Sequence, residues 1–392
     1  MEENILPFWM NRMPDIRDDA ANFGFKGRIA GDGIEDLSAP KGAILNARIL
    51  WTFSAAYRVL LKPEYLHWAR YSYDYFVSHF IDREFGGVFW SLDCDGNPLD
   101  TKKQFYAIGF AIYGLSEYVR ALQVAGLAYE EPLSEARALY ECIETHSRDH
   151  EFGGYLEATL RDWSPIPDMR LSDKDMNAAK TMNTHLHILE PYTNLYRVWP
   201  DSRLAGSIRH LIEVFTDKII TADGRMGLFY TTDWQRVDHQ VSYGHEIEAY
   251  WLLNEAAQVV GMEHFHESPA MKALEKNCLS FYSAPNSASK GLPYEIREDG
   301  TLDTDRHWWV QAEAVVGFLW IYRLTGNRQA LEFSENQLDF ICRHLLREDG
   351  EWYWSVKPSS SGDYVPDTED DLAGFWKCPY HNSRMCLEIL SI

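Results

Sequence analysis

A short glycine and aromatic signature recurs six times, and no other feature of the chain limits its fold so tightly: Asn22-Phe-Gly-Phe25, Glu84-Phe-Gly-Gly-Val-Phe89, Glu151-Phe-Gly-Gly-Tyr155, Met226-Gly-Leu-Phe-Tyr230, Lys290-Gly-Leu-Pro-Tyr294 and Asp349-Gly-Glu-Trp-Tyr353. Marked by Gly24, Gly86, Gly153, Gly227, Gly291 and Gly350, the copies stand 62, 67, 74, 64 and 59 residues apart. A period of that length holds two helices and their loops. Between the markers, Ala47 to Leu61, Phe105 to Leu122, Thr184 to Val198, Ile247 to Val260 and Val310 to Leu324 carry apolar residues at helical rather than alternating spacing. Taken singly, each signature is an ordinary turn. A glycine after a helix and before an aromatic pair marks a left-handed stop followed by a short extended hairpin. A helical pair cannot bury its apolar side alone, so six in sequence must stack, and closing the stack into a ring removes its exposed ends. The repeat therefore predicts an all-α fold, an (α/α)6 toroid of six helical hairpins with short β-hairpin loops, forming one domain over residues 1–392. The segment from Pro358 to Asp371, rich in Ser, Pro and Asp, interrupts the last repeat and is expected to be a long loop near the site.

One strongly apolar helix per repeat carries a polar or aromatic residue near its start: Arg48, Tyr106, His187, His245, Trp309 and His381, at spacings of 58, 81, 58, 64 and 72. In a closed toroid these converge on the axis, where a cleft is expected. Spacing then selects faces. Asn183 and His187 are four apart, His245 and Glu248 three apart, and Trp309 and Glu313 four apart, so each pair points one way. His185 lies two residues from His187 and faces elsewhere, and His187 is the one that shares a face with Asn183. A single histidine in an apolar helix is usually a satisfied core residue, but three at matched positions point to a site. Arg48, set among apolar neighbours, must either find a carboxylate or line water. Trp308, Trp309, Trp376 and Trp251 belong to a set of 14 tryptophans, most of which serve a core, although flat indoles also suit sugar rings.

Composition narrows the partners. A formal charge of -22 argues against nucleic acid, which needs clustered Lys and Arg. It fits a neutral substrate. Cys94, Cys142, Cys278, Cys342, Cys378 and Cys386 form no C-x-x-C pair and are expected to be reduced thiols. No leader-like segment and no apolar run long enough for a membrane span is present, so a cytoplasmic location, no membrane partner, and a monomer or weak homodimer are expected.

Five longer motifs, in order, carry a resemblance: Lys41-Gly-Ala-Ile-Leu-Asn-Ala-Arg-Ile-Leu-Trp51, Lys180-Thr-Met-Asn-Thr-His-Leu-His187, Ser242-Tyr-Gly-His-Glu-Ile-Glu-Ala249, Trp308-Trp-Val-Gln-Ala-Glu-Ala-Val-Val316 and Trp376-Lys-Cys-Pro-Tyr-His-Asn382. With these the chain resembles, over nearly its whole length, the N-acylglucosamine 2-epimerase family, in particular its disaccharide-acting branch. The resemblance implies an α/α toroid that inverts C2 of the reducing-end sugar of β-1,4-linked disaccharides such as cellobiose, lactose and mannobiose, without metal or cofactor. It implies that His245 and His381 are the acid and base at C2, and that His381 also helps open the sugar ring. It further implies that His187, Arg48, Tyr106, Asn183, Glu248 and Glu313 hold the sugar or tune the histidines, with Trp309 and Trp376 as platforms and Trp308 beside them. One departure is expected, since the chain opens where the family's first helix is already under way.

The chemistry explains such residues. Only an open-chain aldose has a C1 carbonyl that acidifies the C2 hydrogen, so ring opening needs its own acid or base. Inversion then removes the C2 proton from one face and returns one to the other, which imidazoles on opposite sides do most directly, ideally with a pKa near neutrality. Arg48 is the natural stabiliser of the enediolate oxygen, and Glu248, one turn from His245, is placed to orient its ring. Other readings remain open here: a monosaccharide 2-epimerase or aldose–ketose isomerase of the same family, a glycoside hydrolase using Glu248 and Glu313, a metalloenzyme using His187, His245, Glu248 and His381, or a carbohydrate-binding module.

Overall fold

The chain is described by a computed structural model over residues 1–17, 23–282 and 291–391. Asn22 and Lys290, which open two of the six signatures, lie outside the described residues. Among the described residues, twelve α-helices alternate between two concentric layers. The outer layer holds α1 (Ile5–Asn11), α3 (Pro63–His79), α5 (Glu130–His146), α7 (Ser202–Val214), α9 (Pro269–Tyr282) and α11 (Arg328–His344). The inner layer holds α2 (Ala43–Leu60), α4 (Phe105–Ala125), α6 (Met182–Val198), α8 (Tyr243–Val259), α10 (Trp308–Thr325) and α12 (Tyr380–Leu390). Each inner helix contacts the next, and α12 contacts α2, so the ring closes into the expected toroid.

The two layers differ as their sequences require. Every residue of α4 from Phe105 to Val119 is buried, the mark of a helix that is apolar all round and enclosed on every side. In α11 only Ala330, Phe333, Ser334, Gln337, Phe340 and Ile341 are buried, a single stripe at helical spacing. Left-handed residues stop several inner helices: Leu61 after α2, Gly126 after α4 and Gly326 after α10.

Among the described residues, the recurrent signature is the turn that follows five of the outer helices. Isolated antiparallel bridges recur there, at Pro14–Phe25, Ile81–Val88, Arg148–Tyr155, Ile220–Met226 and Leu346–Trp352. Gly24, Gly86, Gly153, Gly291 and Gly350 all have positive φ, whereas Gly227 does not. In that repeat Gly224, at φ +81°, makes the turn three residues earlier, and the pattern GLFY belongs to the strand that follows it. Two tryptophans absent from the sequence reading, Trp163 and Trp234, lie over the double glycines. The Trp163 indole donates to the Phe85 carbonyl at 2.8 Å and the Trp234 indole to that of Phe152 at 3.0 Å. A Cβ on Gly154 would stand 2.4 Å from the Trp234 ring.

A buried lysine precedes four of the inner helices and reaches an acid at the end of an outer one. The pairs are Lys41–Asp15 at 2.7 Å, Lys103–Asp82 at 2.8 Å, Lys180–Asp149 at 2.7 Å and Lys377–Glu351 at 2.8 Å. The last pair also joins the ends of the chain, because Glu351 accepts from the Trp9 indole of α1 and from Asn382 of α12. Before α10 the junction uses Gln311 instead, which bonds both backbone groups of Leu292 at 2.8 Å. The expected long loop from Pro358 to Asp371 is corrected by the structure. Ser355–Pro358 and Tyr364–Pro366 pair as a hairpin beside Arg306–His307, because Gly362 at φ +91° supplies the tight turn that the Ser- and Pro-rich composition concealed.

Glu351→Gln strands the Lys377 ammonium in the interior and is expected to cost about 3–5 kcal/mol, the usual penalty for an orphaned buried charge. Urea denaturation will show it as a lower midpoint; an unchanged midpoint would mean that the pair does not close the ring.

Candidate active site

Each inner helix starts from an extended residue, Gly42, Gln104, Thr181, Ser242 or His307, or from Pro379 in the last case, and this common entry fixes the depth of every side chain that follows. The site residues consequently lie in two tiers rather than one. Tyr106, Asn183, Trp309 and His381 are each second in their helix, and His245 is third. Arg48, His187, Glu248 and Glu313 are each sixth, one turn deeper.

Ring contacts join the tiers around the axis. His245 lies 4.7 Å from Trp309 between ring centroids, Trp309 5.7 Å from His381, and Tyr106 5.1 Å from His187. The Arg48 guanidinium sits 4.1 Å from the Phe110 ring and 5.0 Å from that of Tyr380. It donates to the Tyr106 hydroxyl at 2.9 Å and to Cys378 Sγ at 3.8 Å, and its Nε has no partner. Among the described residues no carboxylate pairs with it, so the buried salt bridge considered from sequence is not what this arginine makes.

Beneath the histidines lies a charge network centred on Arg384. Its guanidinium bonds Glu190 of α6, Glu248 of α8 at 2.8 Å and Glu313 of α10 at 2.7 Å. Glu190 in turn accepts from His187 Nδ1 at 3.0 Å and from the Tyr380 hydroxyl. Glu313 accepts from His381 Nδ1 at 2.7 Å and from the Trp251 indole at 3.0 Å. A carboxylate takes only a proton, so His187 and His381 both carry theirs on Nδ1 and keep the Nε2 lone pair free. Burial holds the imidazoles uncharged. His381 is pushed down to about 3, and enclosure with the neighbouring His187 and His381 brings His245 to about 3 as well. Burial also lowers His187, against the pull of Glu190. The near-neutral pKa expected from sequence is thereby corrected: these are neutral bases, and dehydration sets that state.

The expected orientation of His245 by Glu248 is also corrected. His245 Nδ1 pairs with Ser242 Oγ at 2.7 Å, while Glu248 is drawn across the axis to Arg384. His185, set aside in favour of His187, bonds the Thr181 carbonyl and the Tyr155 amide. Trp309 and Trp376 are half-buried, whereas Trp308 is buried, with Lys377 over its ring at 5.2 Å. Trp376 reaches Trp90 at 6.1 Å and Tyr106 at 6.3 Å. Sequence reasoning missed Glu190 and Arg384, although each stands three residues after a site histidine, the same spacing that had singled out Glu248 after His245. It also missed Gly109, where a Cβ would meet the His187 carbonyl at 2.3 Å; Pro191, having no N–H, leaves that carbonyl without its helical donor.

A cleft opens beside Asn183 and His245 and runs outward past Ser242 and Tyr294 to Met169 and Asp175. Asn183 Oδ1 is unpartnered there. Glu157 also lines the cavity and anchors the start of α6, bonding the Thr181 amide at 2.7 Å and the Thr184 hydroxyl at 2.5 Å. Glu248, Glu313 and His381 have ligand atoms within 4.8 Å of one another, a grouping that suits a metal, but the cation held by both carboxylates is Arg384.

A closed α/α toroid with neutral histidines and a cationic Arg48 around its axis suits proton transfer at a sugar carbon. Glu248 and Glu313 share one guanidinium and cannot flank a scissile bond. A sequence profile of the N-acylglucosamine 2-epimerase (GlcNAc 2-epimerase) family matches residues 24–372, and the chain belongs to that family. Cellobiose 2-epimerase of Bacteroides fragilis is 51% identical over 389 residues, covering 98% of this chain and 95% of its own. Cellobiose 2-epimerase of Ruminococcus albus is 37% identical, covering 100% and 96%. The solved cellobiose 2-epimerase of Bacillus thermoamylovorans B4167 superposes with a TM-score of 0.90 at 38% identity, covering 100% of this chain and 96% of that one.

Burial pushes the Glu157 carboxyl up to about 8, against the pull of Thr184 and Thr181. A raised carboxyl pKa contributes stability that is lost as pH rises from the ordinary 4.5 through about 8. Glu157→Gln removes that loss, so its stability relative to the parent protein is expected to improve steadily over this range in chemical denaturation. A pH-independent difference would show that the group is ionised throughout.

Proposed function

We propose that this chain is a cellobiose 2-epimerase, acting at C2 of the reducing-end aldose of β-1,4-linked disaccharides such as cellobiose, lactose and mannobiose, as one catalytic domain in the cytoplasm. One observation carries the reading: two neutral imidazoles, His245 on α8 and His381 on α12, both neighbour the Trp309 ring, with centroids 4.7 and 5.7 Å from its own. A sugar laid against that indole lies within reach of both bases. The cavity continuing from His245 to Tyr294 and Met169 supplies room for the second glycosyl unit. No helix is long and apolar enough to cross a membrane among the described residues, and a monomer or weak homodimer without nucleic-acid partner fits the acidic surface.

The sequence of events follows from the bonds. His381, with Nε2 free and Nδ1 braced by Glu313, takes the anomeric hydroxyl proton and returns it to the ring oxygen, opening the sugar. One histidine then removes the C2 proton. Arg48, desolvated and lacking a carboxylate, stabilises the enediolate oxygen. The other histidine, once its Nε2 has taken a proton from solvent, protonates the opposite face, and the first gives its own proton up to solvent. His187, braced by Glu190, and Asn183 hold the O1 and O2 region, with Tyr106 bonded to Arg48.

Incubation with cellobiose in deuterated water should give the glucosyl-mannose epimer carrying deuterium at C2, with activity surviving exhaustive chelation. Monosaccharide products, a ketose as main product, or activity that tracks a bound ion would overturn the reading. His245→Ala and His381→Ala should each abolish net epimerisation; His245→Ala should retain slow C2 exchange from one epimer only, and His381→Ala little from either. Folded variants with near-normal epimerisation would remove both residues from the mechanism. Because burial already holds these imidazoles neutral at their depressed pKa, kcat/KM should stay flat as pH falls through 6.5, the ordinary imidazole value. A drop centred on 6.5 would show instead that the histidines titrate as exposed groups.

A further inference from the structure

The repeat that sets the depth of the catalytic residues also sets a tier of charge at the other end of the toroid. Counted from the first residue of each inner helix, Arg58 of α2, Arg120 of α4, Arg197 of α6 and Arg323 of α10 are all sixteenth. They stand ten residues beyond the tier of Arg48, His187 and Glu313, which the helical rise converts to about 15 Å along the axis. In α8 the place is taken by Gln258, and α12 is too short to reach it. A cation near the end of a helix ordinarily answers the helix dipole by bonding open carbonyls. Arg58, Arg120 and Arg197 do not: among the described residues they donate only to side chains, and α2 and α4 are closed instead by the backbone amides of Leu61 and Gly126.

These three arginines come from consecutive inner helices and line one basin with Gln123, Val124 and Val198. Arg323 stays apart, against the Trp320 ring. Each of the three donates through a single nitrogen. Arg58 Nε bonds Glu117 at 2.5 Å, Arg120 Nη1 bonds Glu117 at 2.9 Å and Asn194 at 2.8 Å, and Arg197 Nη2 bonds Glu255 at 2.8 Å. The other two nitrogens of each guanidinium have no acceptor among the described residues, and with 26%, 23% and 34% of the side chains exposed they are open to a solute. Glu117 is buried and also accepts from Asn194, so it locks the Arg58 and Arg120 forks in place. Charge is left over. Three guanidinia face Glu117 and Glu255, and Glu388 of α12 adds less than a full negative charge at neutral pH, because burial and Glu255 push its carboxyl up to about 7. A cationic basin is exceptional in a chain of formal charge -22.

We infer that this basin binds a phosphate-type oxyanion, held by the unbonded nitrogens of Arg58, Arg120 and Arg197 at the end of the toroid opposite the active site. Planar guanidinium forks match pairs of oxygens on a tetrahedral anion, which a halide cannot offer. Free phosphate and the phosphate group of a sugar phosphate share that chemistry. The inference does not depend on the epimerase reading.

Isothermal titration calorimetry with inorganic phosphate, and separately with glucose 6-phosphate, tests the site at constant ionic strength. Saturable binding of one phosphate per chain is expected. Arg197→Gln removes one fork, and Val124→Glu sets a carboxylate in the basin. Each should weaken binding by about tenfold or more, the worth of a charge-assisted hydrogen bond. Val124 is half exposed and takes part in no ion pair, so its variant keeps the fold even if Arg197→Gln, which leaves Glu255 without its cation, does not. Arg48→Gln should bind phosphate as the parent does, although Arg48 is the other guanidinium with an unpartnered nitrogen, because it lies at the opposite end. Tighter binding of glucose 6-phosphate than of phosphate would identify an organic phosphate as the ligand, and equal or weaker binding the free ion. The absence of saturable binding, an equal response to chloride, parent-like binding by Val124→Glu, or loss of binding in Arg48→Gln would each overturn the assignment.

Discussion

The Arg384 guanidinium, bonded to carboxylates from α6, α8 and α10, is the interaction on which the order of the site depends. It lies on the last helix, so the contacts that close the ring are the same contacts that assemble the chemistry. Removing Glu190 or Glu313 leaves a buried cation under-compensated, and removing the cation leaves carboxylates facing one another in a desolvated space. Such a cluster contributes little net stability compared with apolar packing. What it supplies is position: through Glu190 it fixes the tautomer and tilt of His187, and through Glu313 those of His381.

The toroid explains why this precision is available. Inner helices begin from a common extended entry, and buried Lys–acid pairs pin four of those entries against the outer layer. Depth along each helix is therefore set before any side chain meets its partner. Close backbone approaches add to the effect. Gly244 leaves room for the Trp309 ring, and Gly109 lets α4 press against the His187 carbonyl, so neighbouring inner helices are held at distances that an alanine would widen.

Much of this was legible in the sequence, and the reasons for the rest are specific. The ring could be read because Gly86, Gly153 and Gly350 recur with a period that only paired helices fill. The histidines could be read because 3.6-residue geometry separates His187 from His185. Glu190 was missed although its bond to His187 lies within α6 at a spacing of three, while Arg384 was not read because its carboxylates lie on α6, α8 and α10 and nothing within one helix shows a polar bond across an axis. The same limit explains Glu248: a spacing of three predicted an interaction with His245, but Arg384 competes for the carboxylate from three helices away. Lys41, Lys180 and Lys377 stood inside motifs already singled out, yet a lysine next to a helix start looks like a solvated charge until its acid is found at the end of an earlier helix. Trp163 and Trp234 cover glycines about eighty residues upstream, a distance at which local pattern is silent.

The proposed chemistry is one of neutral bases in a desolvated ring, braced by the carboxylates behind them. Proton affinity is then tuned by the network and not by the intrinsic imidazole value. Nitrogen-15 NMR of the histidine side chains at neutral pH, assigned with His187→Gln and His381→Gln, measures this most directly. The account predicts that both rings are uncharged, with the proton on Nδ1 and a bare Nε2. An imidazolium at either position, or a proton found on Nε2 at both, would contradict it.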